Sequence, residues 1–281
     1  MKNVLTLIAF FAIISGSAQE KSLLWKISGN GLSTPSYLFG TIPLSCDAAL
    51  DQDTRSAMDK TSQLYLELDM DDPTIQQSMM AGITMKDKTM TTLASAADIK
   101  IVDAIIMEKL GMPVVALNSV KPAMVSTMML PLLMGCPIAS VEQELVNLAK
   151  TQKEEVYGLE TVAEQMAVFD AIPYQVQMDE LVKSAKDKFA ADKKELDAIS
   201  ILYKEKDIEG MHRMMSTSEN KISSQYQDQL LYNRNQNWIP KIEKIAKEKP
   251  TFFAVGAGHL AGEKGVIKLL RKKGYMVEPA L

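Results

Sequence analysis

The chain has 281 residues, with 31 Lys and Arg against 35 Asp and Glu, and a formal net charge of -4. A mildly acidic chain without a basic stripe lacks the electrostatic footprint of a nucleic-acid binder. Its length allows one large domain or two small ones.

Residues 1–18 read as an export signal. Lys2 gives a positive start, 4–14 is almost continuously apolar, and Gly16-Ser17-Ala18 puts small residues where a signal peptidase reads. Cleavage is expected before Gln19. The apolar run is too short to span a bilayer comfortably. No Cys follows to carry a lipid, and no later stretch has the length and purity of a transmembrane helix. The expectation is a soluble protein, periplasmic or secreted, with residues 19–281 as one domain. The sequence sets no oligomeric state.

Six short runs read as strands. Residues 24–28 suggest an edge strand before the turn Gly29-Asn30-Gly31. Core strands follow at 36–39, 64–68, 155–157 and 251–255, all rich in Leu, Val, Tyr or Phe and followed by Gly or acidic residues. Residues 275–277, after Gly274, form a final strand. Helical spacing fills the gaps: one helix opened by Pro73 after Asp71-Asp72, then 98–110 stopping at Gly111, 122–134, 141–150 and 162–170. From 175 to about 249 no strand is convincing, and charges alternate in sign as on solvated helix faces. The fold class is α/β or α+β: a small central sheet with many helices, and a large helical insertion, a subdomain at about 175–249, before the last core strands.

One pattern occurs near both ends. Tyr37-Leu38-Phe39 leads into Gly40-Thr41-Ile42-Pro43-Leu44, and Phe253-Ala254-Val255 into Gly256-Ala257-Gly258-His259-Leu260. Each is an apolar run, then Gly, two residues, a variable residue and Leu. The pair reads as two strand ends facing one site, with an imidazole at 259 and none at 43.

Ligands of open α/β sheets bind beyond the carboxyl ends of strands. There the middle strands offer Glu67-Leu68-Asp69 and Gly158-Leu159-Glu160-Thr161. Carboxylates with an imidazole can hold a hard or borderline divalent metal or do acid–base work without one. Glycines 40, 256 and 258 would let backbone approach a ligand closely. Arg234, with Asn235 in the polar stretch 232–238, could clamp a carboxylate or polarise a carbonyl. Each has a bland alternative: Glu67 could face solvent, Glu160 could cap the next helix, and Arg234 could be a surface residue. His212 sits in a helical surface context. With two histidines in all, a three-His zinc site is impossible. His-Glu-x-x-His, Gly-x-Ser-x-Gly, Walker and dinucleotide motifs do not occur.

The 19 methionines cluster at Met79-Met80, Met128-Met129 and Met214-Met215. They suit flexible core filling, or an adaptable apolar groove for a peptide or lipid. Cys46 and Cys136 are an even count in an exported chain, so a disulfide between them is expected. A bonded Cys46 could not bind metal.

These segments carry a resemblance. LLWKISG (23–29), SYLFGT (36–41), LELD (66–69), GLET (158–161), RN (234–235) and VGAGHLAGEKGVIKLLRKKGY (255–275) resemble the TraB/GumN family, which is related to the Tiki-type metalloproteases. The resemblance implies two Gly-x-x-His motifs around a site with a family Glu and Arg, used in the Tiki branch for metal-dependent peptide hydrolysis. Glu67, Arg234 and His259 match as catalytic residues, and His259 and Glu67 as ligands for a divalent metal such as manganese, cobalt or zinc. Gly40, Thr41, Glu160, Gly256, Gly258 and Asn235 would line the ligand site. Pro43 stands where the first motif's His belongs. The implied protein has a degenerate metallohydrolase site that binds a peptide or cell-envelope ligand. The alternatives are an active peptidase using Asp47, Asp69 or Cys46 as substitute ligand, and a non-catalytic envelope interaction protein.

Overall fold

The computed structural model describes residues 21–280; the expected export signal lies outside them. Strands β1 (Leu24–Ser28), β2 (Ser36–Thr41), β3 (Leu64–Leu66), β4 (Val156–Gly158), β5 (Phe252–Gly256) and β6 (Met276–Pro279) form one sheet in the order β4-β3-β5-β2-β1-β6. The four strands β4, β3, β5 and β2 are parallel. Strand β1 runs antiparallel to β2 and to β6. β2 is buried along its whole length and β5 over all but its last residue, as expected of central strands covered on both faces.

The parallel run puts the carboxyl ends of β2, β3, β4 and β5 along one edge of the sheet. It also corrects one expectation. β1 is interior, because the chain turns at Gly274 (φ 92°) and lays β6 outside it. Trp25 and Ile27 are accordingly 1% exposed.

Helix α1 (Gln52–Met58) links β2 to β3. Between β3 and β4 come α2 (Ile75–Gly82), α3 (Met90–Leu93), α4 (Ala96–Leu110), α5 (Pro122–Leu133) and α6 (Val141–Gln152). Between β4 and β5 come α7 (Val162–Asp170), α8 (Tyr174–Lys186), α9 (Ala190–Lys204), α10 (Ile208–Ser216), α11 (Lys221–Gln225), a π turn (Asp228–Tyr232) and α12 (Asn233–Glu248). No strand interrupts this stretch among the described residues, so the helical insertion before β5 is present. Helix α13 (Val266–Lys272) precedes β6.

The local signals act as their chemistry dictates. Ser95 caps α4 by accepting the Asp98 N–H, and Gly111 ends it in the left-handed region at φ 69°. Thr161 and Glu164 cap α7 reciprocally. The second helix begins at Ile75 rather than at Pro73, because the Asp72 carboxylate takes the Thr74 N–H at 2.7 Å and forms a turn first.

Two apolar cores result. One lies on the sheet and takes in Ile208, Met211, Trp238 and Ile242 from the insertion. The other, with Met90, Val102, Val125, Met129, Met178 and Phe189, lies among α3, α4, α5 and α8. Cys46 and Cys136 are bonded, with Cα atoms 5.8 Å apart, beside an antiparallel bridge between Ser45 and Ala139. No helix among the described residues is long and apolar enough to cross a membrane.

Candidate functional site

Each carboxyl end of the parallel strands delivers one part of the site. In the residues after β5 a tight turn, Ala257–His259, folds His259 back to 4% exposure. That turn lies on β2 at Gly40, where a Cβ would come within 2.8 Å of Leu260 and 3.1 Å of Ala257. A larger residue there would have to displace the Leu260 side chain and crowd Ala257. Gly256 donates its N–H to Glu67 Oε1 at 2.8 Å, and a Cβ there would crowd the same oxygen at 3.2 Å. Gly258 lets the turn approach Met215 on α10. In the β2–β5 register Thr41 faces Gly256, so the two Gly-x-x-x motifs are staggered by one residue. Pro43 and His259 still line the same cleft.

Helix α12 supplies the rest. The π turn before it is a frequent device at functional sites. Arg234 and Asn235, in the first turn of α12, both reach the strand ends. Asn235 is fully buried; its Oδ1 accepts from His259 Nδ1 at 2.6 Å, and its Nδ2 donates to the Lys264 carbonyl at 2.9 Å. Arg234 spends all five N–H donors. Nε and Nη2 bind the Glu160 carboxylate, Nη2 also binds Glu67 Oε2, and Nη1 binds the Leu230 carbonyl at 2.9 Å and His259 Nε2 at 3.0 Å. A guanidinium cannot accept, so His259 carries its proton on Nδ1 and presents its Nε2 lone pair to Arg234.

Glu67, Glu160, Arg234 and His259 thus meet in one place beside Gly40 and Gly256. Thr41 and Gly258 line the same cleft. Arg234, expected to clamp a carboxylate or polarise a carbonyl, clamps the chain's own Glu67 and Glu160 and has no donor left for a ligand.

Three contributors were not picked out from the sequence. Trp238, one helical turn after Arg234, is fully buried; it packs on His259 with ring centres 4.5 Å apart and planes tilted by 42°, lies 4.8 Å from the guanidinium and donates to Glu160 at 3.2 Å. Its position four residues on, on the same helix face, was the available signal. Gln165 on α7 bridges Glu67 and Glu160 at 3.2 and 3.1 Å. Glu142, in the first turn of α6, reads locally as a helix-start acid but lines the cleft with Pro43 and Thr41, taking the Ser140 hydroxyl at 3.1 Å. His212 donates Nε2–H to Tyr232 at 2.9 Å, since the Tyr232 hydroxyl itself donates to Gln227.

The charges follow this geometry. Burial pushes His259 down to about 3, and the neighbouring Arg234 adds to this against Glu67. The ring is neutral near pH 7. Burial alone would raise Glu67; its neighbours His259 and Arg234 and the Gly256 amide hold it below the ordinary value. With the ring neutral, Arg234 and the amide carry that effect. Burial raises Glu142, helped by the negative charge of Glu67 and opposed by the Thr41 and Ser140 hydroxyls. Burial likewise keeps the Tyr203 phenol protonated, and it donates to the Gly40 carbonyl at 3.0 Å.

A pH dependence follows from His259. Between about pH 6.5 and 3 the unfolded chain binds a proton that the folded ring excludes, so stability is full above 6.5 and falls as pH drops. From pH 7.5 to 5 this one group is expected to remove about 2 kcal/mol. Urea midpoints in chelator-treated buffer should show the fall in the natural chain and a much smaller one in His259→Gln. Equal falls in both would mean that the ring is not held neutral.

A divalent metal fits these residues poorly. His259 Nε2 and Glu67 Oε1 lie 3.6 Å apart, but the Nε2 lone pair faces a fixed cation. Pro43 adds no donor, while a catalytic zinc ordinarily takes three protein ligands. The expected substitutes are elsewhere: Cys46 is in the disulfide, Asp47 is exposed and caps Ala49, and Asp69 lines a neighbouring cleft with Tyr65 and Tyr157.

The family model described as "TraB/PrgY/gumN family" matches residues 23–279. Among curated proteins the chain is similar to Metalloprotease TIKI1 of Danio rerio, with 40% identity over 60 residues, 20% of this chain and 12% of that protein. It is also similar to Metalloprotease TIKI2 of Xenopus tropicalis (37% over 70 residues; 24% and 13%) and Metalloprotease TIKI1 of Homo sapiens (39% over 62 residues; 21% and 12%). The matched stretches thus cover about an eighth of these relatives' length. No solved structure matches the chain significantly.

Proposed function

The chain belongs to the TraB/PrgY/gumN family, and from that premise we propose that it is an exported member with a degenerate metallohydrolase site, which binds a peptide or cell-envelope ligand. The observation that carries this reading is the Arg234 contact. Where a metal would need the His259 lone pair, a buried guanidinium already holds it and both carboxylates. Position 43 contributes proline instead of a second imidazole. Export is supported by the signal-like start and by the disulfide, which suits an oxidising compartment.

A cleft of about 570 Å³ over the strand ends has the size of ligand sites, which favours binding over a purely structural role. Glu142 is the carboxylate nearest in kind to a substitute ligand, as it lines the cleft with Pro43. It leaves the Arg234 obstacle in place.

The test is metal titration by calorimetry with manganese, cobalt and zinc, together with peptide cleavage, on the natural chain, Pro43→His and His259→Ala. The natural chain is expected to hold no stoichiometric metal and to cleave nothing. Pro43→His is expected to gain affinity, since adding one ligand changes ligand count and geometry together. Robust metal-dependent cleavage by the natural chain, lost in His259→Ala, would overturn the reading in favour of an active peptidase.

A further inference from the structure

We propose that the cleft takes an apolar ligand ending in a free ammonium, with Glu142 as the group that binds the ammonium. This deepens the ligand-binding reading above and rests on it. The cleft wall is built from Ile42, Leu44, Leu196, Ile199, Met211 and Met215. Two of these are methionines, whose unbranched side chains adapt to differently shaped apolar groups. The ligand body is therefore apolar.

The head group follows from which charges are already used. Glu67 and Glu160 both pair with Arg234, which leaves the three groups with one negative charge in excess and so disfavours an anionic head. Arg234 has no free donor, so an anionic head would have to break one of its bonds. His259 is neutral and both its nitrogens are engaged. Glu142 alone among the charged groups of the cleft has no cationic partner among the described residues. Its carboxylate accepts the Ser140 hydroxyl at 3.1 Å and lines the cleft together with Thr41. A desolvated carboxylate with only neutral donors gains from a charged one. A carboxylate or phosphate on a ligand would instead face Glu142 and Glu67 together.

A primary ammonium on an apolar chain occurs at the N-terminus of an apolar peptide and in an amino lipid. The experiment separates them. Binding of Leu-Leu-Leu-amide, its N-acetyl form, decylamine and decanoate is measured by calorimetry on the full mature chain, with Glu142→Gln and Glu142→Asp beside it. The free peptide is expected to bind at least about 10-fold more tightly than the acetylated one, the difference a single charge-assisted contact makes. Glu142→Gln is expected to reduce this preference to about 2-fold or less, and Glu142→Asp to keep most of it. A loss of preference in Glu142→Gln with unchanged thermal melting excludes misfolding. Tighter binding of decylamine than of either peptide supports the ammonium site and assigns it to a lipid. Equal binding of the free and acetylated peptides, or tighter binding of decanoate, overturns this inference and leaves the cleft as a ligand site. Absence of binding by all four overturns both.

Discussion

Replacing Arg234 with methionine is expected to lower the unfolding free energy by about 3–5 kcal/mol, the range for removing one partner of a buried ion pair. The size follows from what is left behind. Glu160 and Glu67, with side chains 5% and 23% exposed, lose their common counter-ion. The Leu230 carbonyl and His259 Nε2 lose donors. Methionine fills the volume over Trp238 and replaces none of these bonds. Lysine in the same place restores a charge but not the planar fork that reaches four partners, so Arg234→Lys should recover only part of the loss.

The pH dependence gives a second readout. In the natural chain Glu67 is held down, so its contribution is full above its ordinary value near 4.5 and is lost as pH falls below it. Without the guanidinium the Glu67 carboxyl, still buried, rises, protonates on mild acidification, and the deficit of the variant shrinks. Urea unfolding at pH 7.5 and pH 5 measures this. A loss under about 1 kcal/mol at pH 7.5 would place Arg234 with exposed surface pairs and remove the physical basis for the saturated site.

The double replacement Cys46→Ser, Cys136→Ser is expected to cost up to about 4–5 kcal/mol. The bridge spans a sequence separation of 90, and on the chain-entropy model a loop of that length restricts the unfolded chain by about this much. The consequence reaches the cleft. Pro43 lies three residues before Cys46, and Glu142 six after Cys136. The disulfide and the Ser45–Ala139 bridge hold these two walls together. Denaturant midpoints of the natural chain, with and without reductant, and of the double variant should agree in showing the loss. Thiol titration of the denatured, unreduced protein should find no free thiol. Free thiols in freshly exported protein, or a loss under about 1 kcal/mol, would show that packing alone closes this loop.

Much of this molecule is legible along the chain because the signals are local. All six strands are short apolar runs bounded by Gly, Pro or acidic residues, and each forms within a few residues of its expected place. Helices α4 and α7 begin at their capping side chains. Four parallel strands ending at one edge make Glu67, Glu160 and His259 neighbours, and that too follows from reading strand ends. Position within the sheet does not. Whether β1 is an edge depends on β6, which arrives from the far end of the chain.

The state of the site is likewise a sum over distant segments. The partners of Arg234 come from positions 67, 160, 230 and 259, and no local pattern counts donors across such separations. Trp238, Gln165 and Glu142 have the local pattern of a core aromatic, a helix-surface amide and a helix-start acid, and become site residues only through what packs against them. The sequence by itself determined the elements, the two Gly-x-x-x turns and the proline in one of them, because backbone propensity and hydrophobic period act over a few residues. Tertiary structure alone decided that the imidazole of the site is neutral, that Arg234 is spent and that Glu142 is the carboxylate of the cleft without a cationic partner among the described residues, because burial and pairing depend on groups brought together by folding.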